Sequence, residues 1–404
     1  MAPYESDGST TGAGGAGGDD PRAGRRKKAA RYVVPVAVTG VAVATIGLVP
    51  AIADSGSPDL PEISAQQLIQ NIAESDTEQL SGTVKITTDL GLPDLGGLGG
   101  GLVSGAAGAG GDDSGSSADP GTKLTELATG THTLRVAVDG PDRQKISLLQ
   151  NAAEYNLIHN GDDVWGYDSQ SNEVYHASAA GDADTGQDVP ATPKDFAEQA
   201  LKAVDDTTSV TVDGTAQVAG RDAYKLVVKP KQSGSTVGQI TIAVDSKTYT
   251  PLKFTLTPAS GGAAVVDAGF TQVDFARPAA STFDFSPPKG AKVTEESDVP
   301  EGAAQPPKSE EDLTKGAGEP TVLGEGWNAI AVLETGGEGV PSGAEVGGDF
   351  GGFLDSLGDQ VSGKFGEGTV FKTRLINALI TDDGTVYVGA VTQDALVKAA
   401  DSAQ

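Results

Sequence analysis

Several patterns in the chain have the residue types of known chemistries, and each lacks a part that its chemistry needs. Gly12-Ala13-Gly14-Gly15-Ala16-Gly17 fits a dinucleotide-binding fingerprint by letter, but no strand precedes it and the surrounding tail is Gly/Ala/Asp/Ser-rich. Gly358–Lys364 matches the first seven positions of a phosphate-binding loop. Phe365 stands where the Mg²⁺-binding Ser or Thr is required. His132, His159 and His176 each lie near the end of a strand-like run, without an accompanying carboxylate pattern, and read as ordinary strand histidines rather than metal ligands. Asp162-Asp163 and Asp382-Asp383 sit at turns, where Asp bonds to nearby backbone. There is no G-x-S-x-G elbow, and the absence of Cys removes disulfides, thiolate metal sites, a Cys nucleophile and a lipidated Cys. The expectation is a protein that is not an enzyme, with no catalytic residues, no metal and no cofactor.

Charge and targeting narrow the partners. A net charge of −28 over 404 residues repels phosphate backbones, so nucleic acid is not expected as a partner. Residues 1–31 form a polar tail ending in the basic cluster Arg25-Arg26-Lys27-Lys28 and Arg31, directly before the uncharged, Val/Ala-rich run Tyr32–Ile52. That run has about the length that spans a hydrocarbon core, and its basic flank should stay in the cytoplasm. Ala51-Ile52-Ala53 is also a small-x-small cleavage pattern. Residues 32–53 are therefore a transmembrane anchor or a signal peptide. In one case the protein is single-pass, tied to the cytoplasmic membrane through residues 32–52. In the other it is secreted after cleavage near Ala53. Either way Asp54 onward is extracytoplasmic.

A Pro/Ser-rich linker, 54–62, leads to a capping box at Ser64 and Gln67 and a short helix with Leu68, Ile69 and Ile72 on one side. The strand Gly82–Thr88 follows, then a Gly-rich insertion, 90–121, without periodicity, which reads as a flexible loop whose leucines leave room for a mobile apolar flap. His132–Val138, Arg143–Gln150 and Ala153–His159 alternate as strands, and Asn160–Ser178 reads as one β-hairpin following another. Thr192-Pro193 opens a second helix with Phe196, Ala200, Leu201 and Val204 on one side. Five more strands are expected: Gly214–Val218, Ala223–Val228, Gly238–Asp245, Pro251–Thr257 and Ala264–Phe275. Phe283–Pro288 and Lys289–Val293 close the domain in extended form. About ten antiparallel strands with two helices imply a strongly curved sheet with the helices packed inside or across it.

Gly161-Asp162-Asp163-Val164-Trp165-Gly166-Tyr167-Asp168 resembles the central hairpin of the LolA family of periplasmic lipoprotein carriers. It is similar also to the amino-terminal domain of the MucB/RseB regulators. The order of elements and the ending Phe283-Asp284-Phe285-Ser286-Pro287-Pro288-Lys289-Gly290 agree with that family. The resemblance covers residues 63–294 and implies an incomplete antiparallel β-barrel with capping helices, whose apolar cavity receives acyl chains of a lipid or lipoprotein. Candidate cavity residues are Leu134, Val136, Ile146, Leu148, Trp165, Tyr167, Leu226, Ile240 and Phe254. Trp165 and Tyr167 share a strand face opposite Val164 and Gly166, and a glycine leaves that other face bare, so the two rings are expected to point into the cavity.

A Pro/Glu/Lys-rich linker, 295–319, precedes a small α+β domain, 320–404, making the whole chain α+β and mainly β. In that domain the expected elements are a strand Val322–Leu333, a short helix Phe350–Val361, a strand Val370–Ile380 paired with Thr385–Val391 across Asp382-Asp383-Gly384, and a helix Gln393–Ala400. The two-domain plan resembles that of the MucB/RseB group. Two functions are thus implied: an extracytoplasmic binder of acyl chains, or a regulator that senses envelope lipid and controls an anti-sigma factor.

Overall fold

The computed structural model describes residues 57–91, 116–178, 207–295, 321–334 and 358–403, all within one compact unit, Ser57–Gln404. The expected span 32–53, most of the Gly-rich insertion and the helix expected after Thr192 lie outside the described residues. Among the described residues no helix is long and apolar enough to cross a membrane.

The chain opens with α1 (Ala65–Ala73), β1 (Gln79–Thr88) and α2 (Pro120–Glu126). A first meander follows: β2 (Gly130–Asp139), β3 (Arg143–Gln150), β4 (Ala153–Asn160), β5 (Asp163–Asp168) and β6 (Glu173–Ser178). A second comprises β7 (Thr208–Val218), β8 (Arg221–Pro230), β9 (Val237–Asp245), β10 (Pro251–Pro258) and β11 (Val266–Asp274), and the short β12 (Lys292–Glu295) comes last. The turn between β4 and β5 places Gly161 at φ +64°, and the next turn uses Asn172 at +55°, the two residue types that tolerate that conformation best.

All twelve strands form one sheet in the order β12-β6-β5-β4-β3-β2-β1-β11-β10-β9-β8-β7. β1 pairs antiparallel with β2 on one side and β11 on the other, so it joins the two meanders. Bulges at Thr83/Val84, Val212/Thr215, Pro251/Lys253 and Thr257/Pro258 bend the strands. One apolar cluster joins Val218 of β7 to Phe270 and Val273 of β11, although β8 to β10 lie between them, which requires a strong curl. The edges β7 and β12 stay apart in the pairing order. The result is the incomplete antiparallel barrel that the resemblance implied.

A second sheet has the order β13 (Thr321–Leu323), β14 (Ile330–Glu334), β18 (Thr385–Gly389), β17 (Asn377–Thr381), β16 (Gly366–Lys372) and β15 (Gly358–Gly363), covered by α3 (Gln393–Ser402). Its core is Ile330, Phe365, Val370, Leu379, Tyr387, Val391, Leu396 and Ala400. Three elements differ from expectation. Val322–Leu333 is two strands, because Gly324 and Gly326 at φ +81° and +58° break the run. The residues from 358 in the expected helix Phe350–Val361 form strand β15. Val370–Ile380 turns back on itself, because the Thr373 hydroxyl accepts from the amides of Leu375 and Ile376 and makes a local turn.

The two sheets are joined directly. Ser235 and Val391 form a β-bridge, Trp327 Nε1 donates to Thr208 Oγ1 at 2.8 Å, and Arg374 Nη1 meets Asp89 Oδ2 at 2.6 Å.

Candidate functional site

The capping box at Ser64 and Gln67 starts α1, and its apolar side lands on the sheet: Leu68, Ile69 and Ile72 are buried against Tyr224, Leu226 and Val244. α2 sits at the other end of the sheet. There the expected insertion 90–121 ends earlier than its composition suggested, since Ser116–Asp119 already forms a turn and Pro120 begins a helix. Ala118 is fully buried, and its carbonyl accepts from Tyr155 Oη at 3.1 Å. Lys123, almost fully buried, bridges Asp168 at 2.9 Å and Glu126 at 3.0 Å.

These bonds set unusual acidities. Burial opposes the charge on Lys123, but the bonds to Asp168 and Glu126 outweigh it and raise its pKa above the ordinary value. Burial and the nearby charges of Asp119 and Asp168 push the Tyr155 hydroxyl far up, so it stays a hydrogen-bond donor. Glu173 accepts from the Ser117 amide at 2.9 Å and the Ser117 hydroxyl at 2.8 Å, with Lys292 at 3.1 Å, and these hold its pKa down at about 2. The cluster fastens the 116–126 segment to the sheet.

Between the helices the register assigns each candidate residue to a face. Directly paired residues lie on the same side of a sheet. One unbroken row runs Leu226, Ile242, Phe254, Ala268, Ile86, and from Val84 beside it Leu134, Leu148 and Tyr155. Ile240, Val136 and Ile146 lie two residues along on the same side. Seven candidates, Leu134, Val136, Ile146, Leu148, Leu226, Ile240 and Phe254, therefore share the face that carries both helices. On β1 to β4 and β9 to β11 this face bears no Asp, Glu, Lys or Arg, whereas the opposite face carries ion pairs such as Lys253–Asp267. Its ends are buried under α1 and α2. Its middle is not: Ile86, Val136, Leu157, Ile240, Ile242 and Phe254 are half-buried and Ile146 is 38% exposed. A groove of about 430 Å³ beside α1 is lined in part by Tyr224, which belongs to this same face.

Trp165 and Tyr167 are not part of it. Gly166 pairs with Leu157, on the helix-covered side, so the two rings point to the opposite face and do not share an interior with the seven. The missing Cβ does not leave a bare face but makes room for Ala118 and Tyr155 to close over the backbone. Trp165 instead stacks on His176 at 3.8 Å, and Trp165 and Tyr167 both touch Phe285 of the segment that crosses back over the sheet. Phe283 of that segment is fully buried.

The three histidines stay apart: His132 bonds the Thr129 carbonyl, His159 pairs with Val164 on the helix side, and His176 lies on the outer face. Among the described residues no group of three or more His, Asp or Glu side chains is arranged so that it could hold a metal ion. Sequence reasoning missed α2 and with it Lys123, Asp168 and Glu173. The available signal was Asp119-Pro120, a capping residue before a first-turn proline.

A family model described as "Predicted periplasmic protein (DUF2092)" matches residues 116–295, under half of the chain. No curated protein matches the sequence. Among solved structures, the chain is similar to one of the MucA/MucB complex of Pseudomonas aeruginosa, at 16% identity over 83% of this chain and 96% of that one, TM-score 0.38. It is similar also to an uncharacterized conserved protein of Thermus thermophilus, at 11% identity over 57% and 98%, TM-score 0.32. A LolA superfamily protein of Nitrosomonas europaea is similar at 11% identity over 55% and 99%, TM-score 0.23.

Proposed function

We propose that the protein is an extracytoplasmic, non-enzymatic binder of acyl chains, held on the sheet face between α1 and α2. The observation that carries this is the half-buried, charge-free stripe through Ile146, Val136, Ile86, Phe254 and Ile240. An apolar surface clamped at both ends and left partly wet in the middle gains about 0.8 kcal/mol for each CH₂ that a ligand removes from water. Selectivity of this kind needs no reacting group. The description of the matching family and the basic cluster before Tyr32 support a site outside the cytoplasmic membrane. Native mass spectrometry of the protein purified from membranes is the test. Co-purified species with lipid masses that leave on activation support the reading, and a bare protein at all activation energies contradicts it.

The regulator reading has its own support. Arg374, in the turn between β16 and β17, bonds Asp89 and donates from its backbone to Leu90 O at 2.8 Å, where the chain leaves β1 beside the apolar stripe. A ligand that shifts the end of β1 would be felt in the second domain, and through it by an anti-sigma partner. A pull-down from envelope extracts, with Arg374→Met as the control that loosens the link, distinguishes this from simple carriage.

A further inference from the structure

On the outer face His176 has both ring nitrogens engaged. Nε2 lies 2.9 Å from Asp163 Oδ1 on β5, and Nδ1 lies 2.7 Å from Glu295 Oε2 at the end of β12. A neutral imidazole has one N–H, so it can donate to one carboxylate and must turn a lone pair toward the other. Only the imidazolium donates to both. The ring also stacks on Trp165 with planes 14° apart, where a positive charge gains from the indole face.

β12 is the element that depends on this arrangement. It has four residues and its described strand partner is β6, which it meets in parallel while the other pairings of the sheet are antiparallel. Val293 is 42% exposed. It is fastened also by the Lys292–Glu173 ion pair, on the opposite side of the strand, and by the Lys292 amide on Asn172 O at 3.2 Å. The crossing segment before it presents the uncharged Phe285 ring to Trp165.

We propose that Asp163, His176 and Glu295 form a proton-operated clip. With His176 charged, the clip holds β12 and the segment bearing Phe285 across Trp165. With His176 neutral, one carboxylate is repelled and β12 loosens from β6, uncovering a strand edge and an aromatic face. Burial disfavours the charge, but the two carboxylates outweigh it and place the pKa of His176 above its ordinary 6.5. A raised folded-state pKa means that the clip is fully closed below about pH 6.5 and is lost as pH rises through the higher value.

Hydrogen exchange of the full chain, read by mass spectrometry on peptides covering residues 290–295 and divided by the intrinsic rate at each pH, tests this. Protection of these amides should fall at least about tenfold between pH 6 and pH 8.5, with protection in β8 unchanged. In His176→Gln it should be low at both pH values and flat. Glu295→Gln, which keeps the histidine, should also be flat and serves if the first variant folds poorly. Constant protection in the parent, or an equal fall in a folded variant, overturns the clip.

Discussion

Gly166 and Ala118 approach so closely that a Cβ on the glycine would lie inside contact distance of the Ala118 carbonyl oxygen and 2.9 Å from Tyr155 Oη. One glycine in β5 thus admits the turn that seats α2. Gly166→Ala should cost about 1 to 3 kcal/mol of stability, because backbone rather than a flexible side chain must move. Urea unfolding measures it. A variant as stable as the parent would show that the 116–126 segment yields without strain.

Among the described residues Lys123 is the cation paired with Asp168, whose side chain is 3% exposed. Removing it leaves a buried carboxylate, although Asp168 Oδ1 still accepts from the Gln170 amide. Lys123→Met should destabilise by about 3 kcal/mol, and adding Asp168→Asn should restore at least half of that. A double variant no better than the single one would show that the cost arises from packing and not from the unpaired charge.

Glu173 links the same segment to acid stability. Its pKa is about 2 when folded against an ordinary 4.5, so its contribution is complete above 4.5 and is lost as pH falls toward 2. The parent should lose about 1 to 3 kcal/mol across that range relative to Glu173→Gln, measured by thermal unfolding at fixed ionic strength. Parallel pH profiles for the two proteins would remove Glu173 from the fastening.

Much of the fold was legible because alternation and turn chemistry are local. The Ser64/Gln67 box, the runs from His132 to His159 and the Asp382-Asp383-Gly384 turn all lie where residue spacing put them. What was not legible depends on partners distant in sequence. Whether Trp165 faces inward is decided by Ala118, 47 positions earlier, and by Phe285, 120 later. Lys123 is seated by Asp168, 45 positions later, with Glu126 beside it. The seven aliphatic and aromatic candidates share a face because alternation within each strand was visible and the register carries it across β1.

The central claim is that acyl chains occupy the helix-covered face and not the Trp165 face, and titration of a fluorescent fatty acid into three folded proteins tests it most directly. Ile146→Asp puts a charge in the exposed middle of the stripe and should weaken binding at least about tenfold relative to the parent. Trp165→Phe, on the opposite face, should bind within about twofold of the parent. Full affinity in Ile146→Asp, or a tenfold loss in Trp165→Phe with its fold intact, would contradict the account.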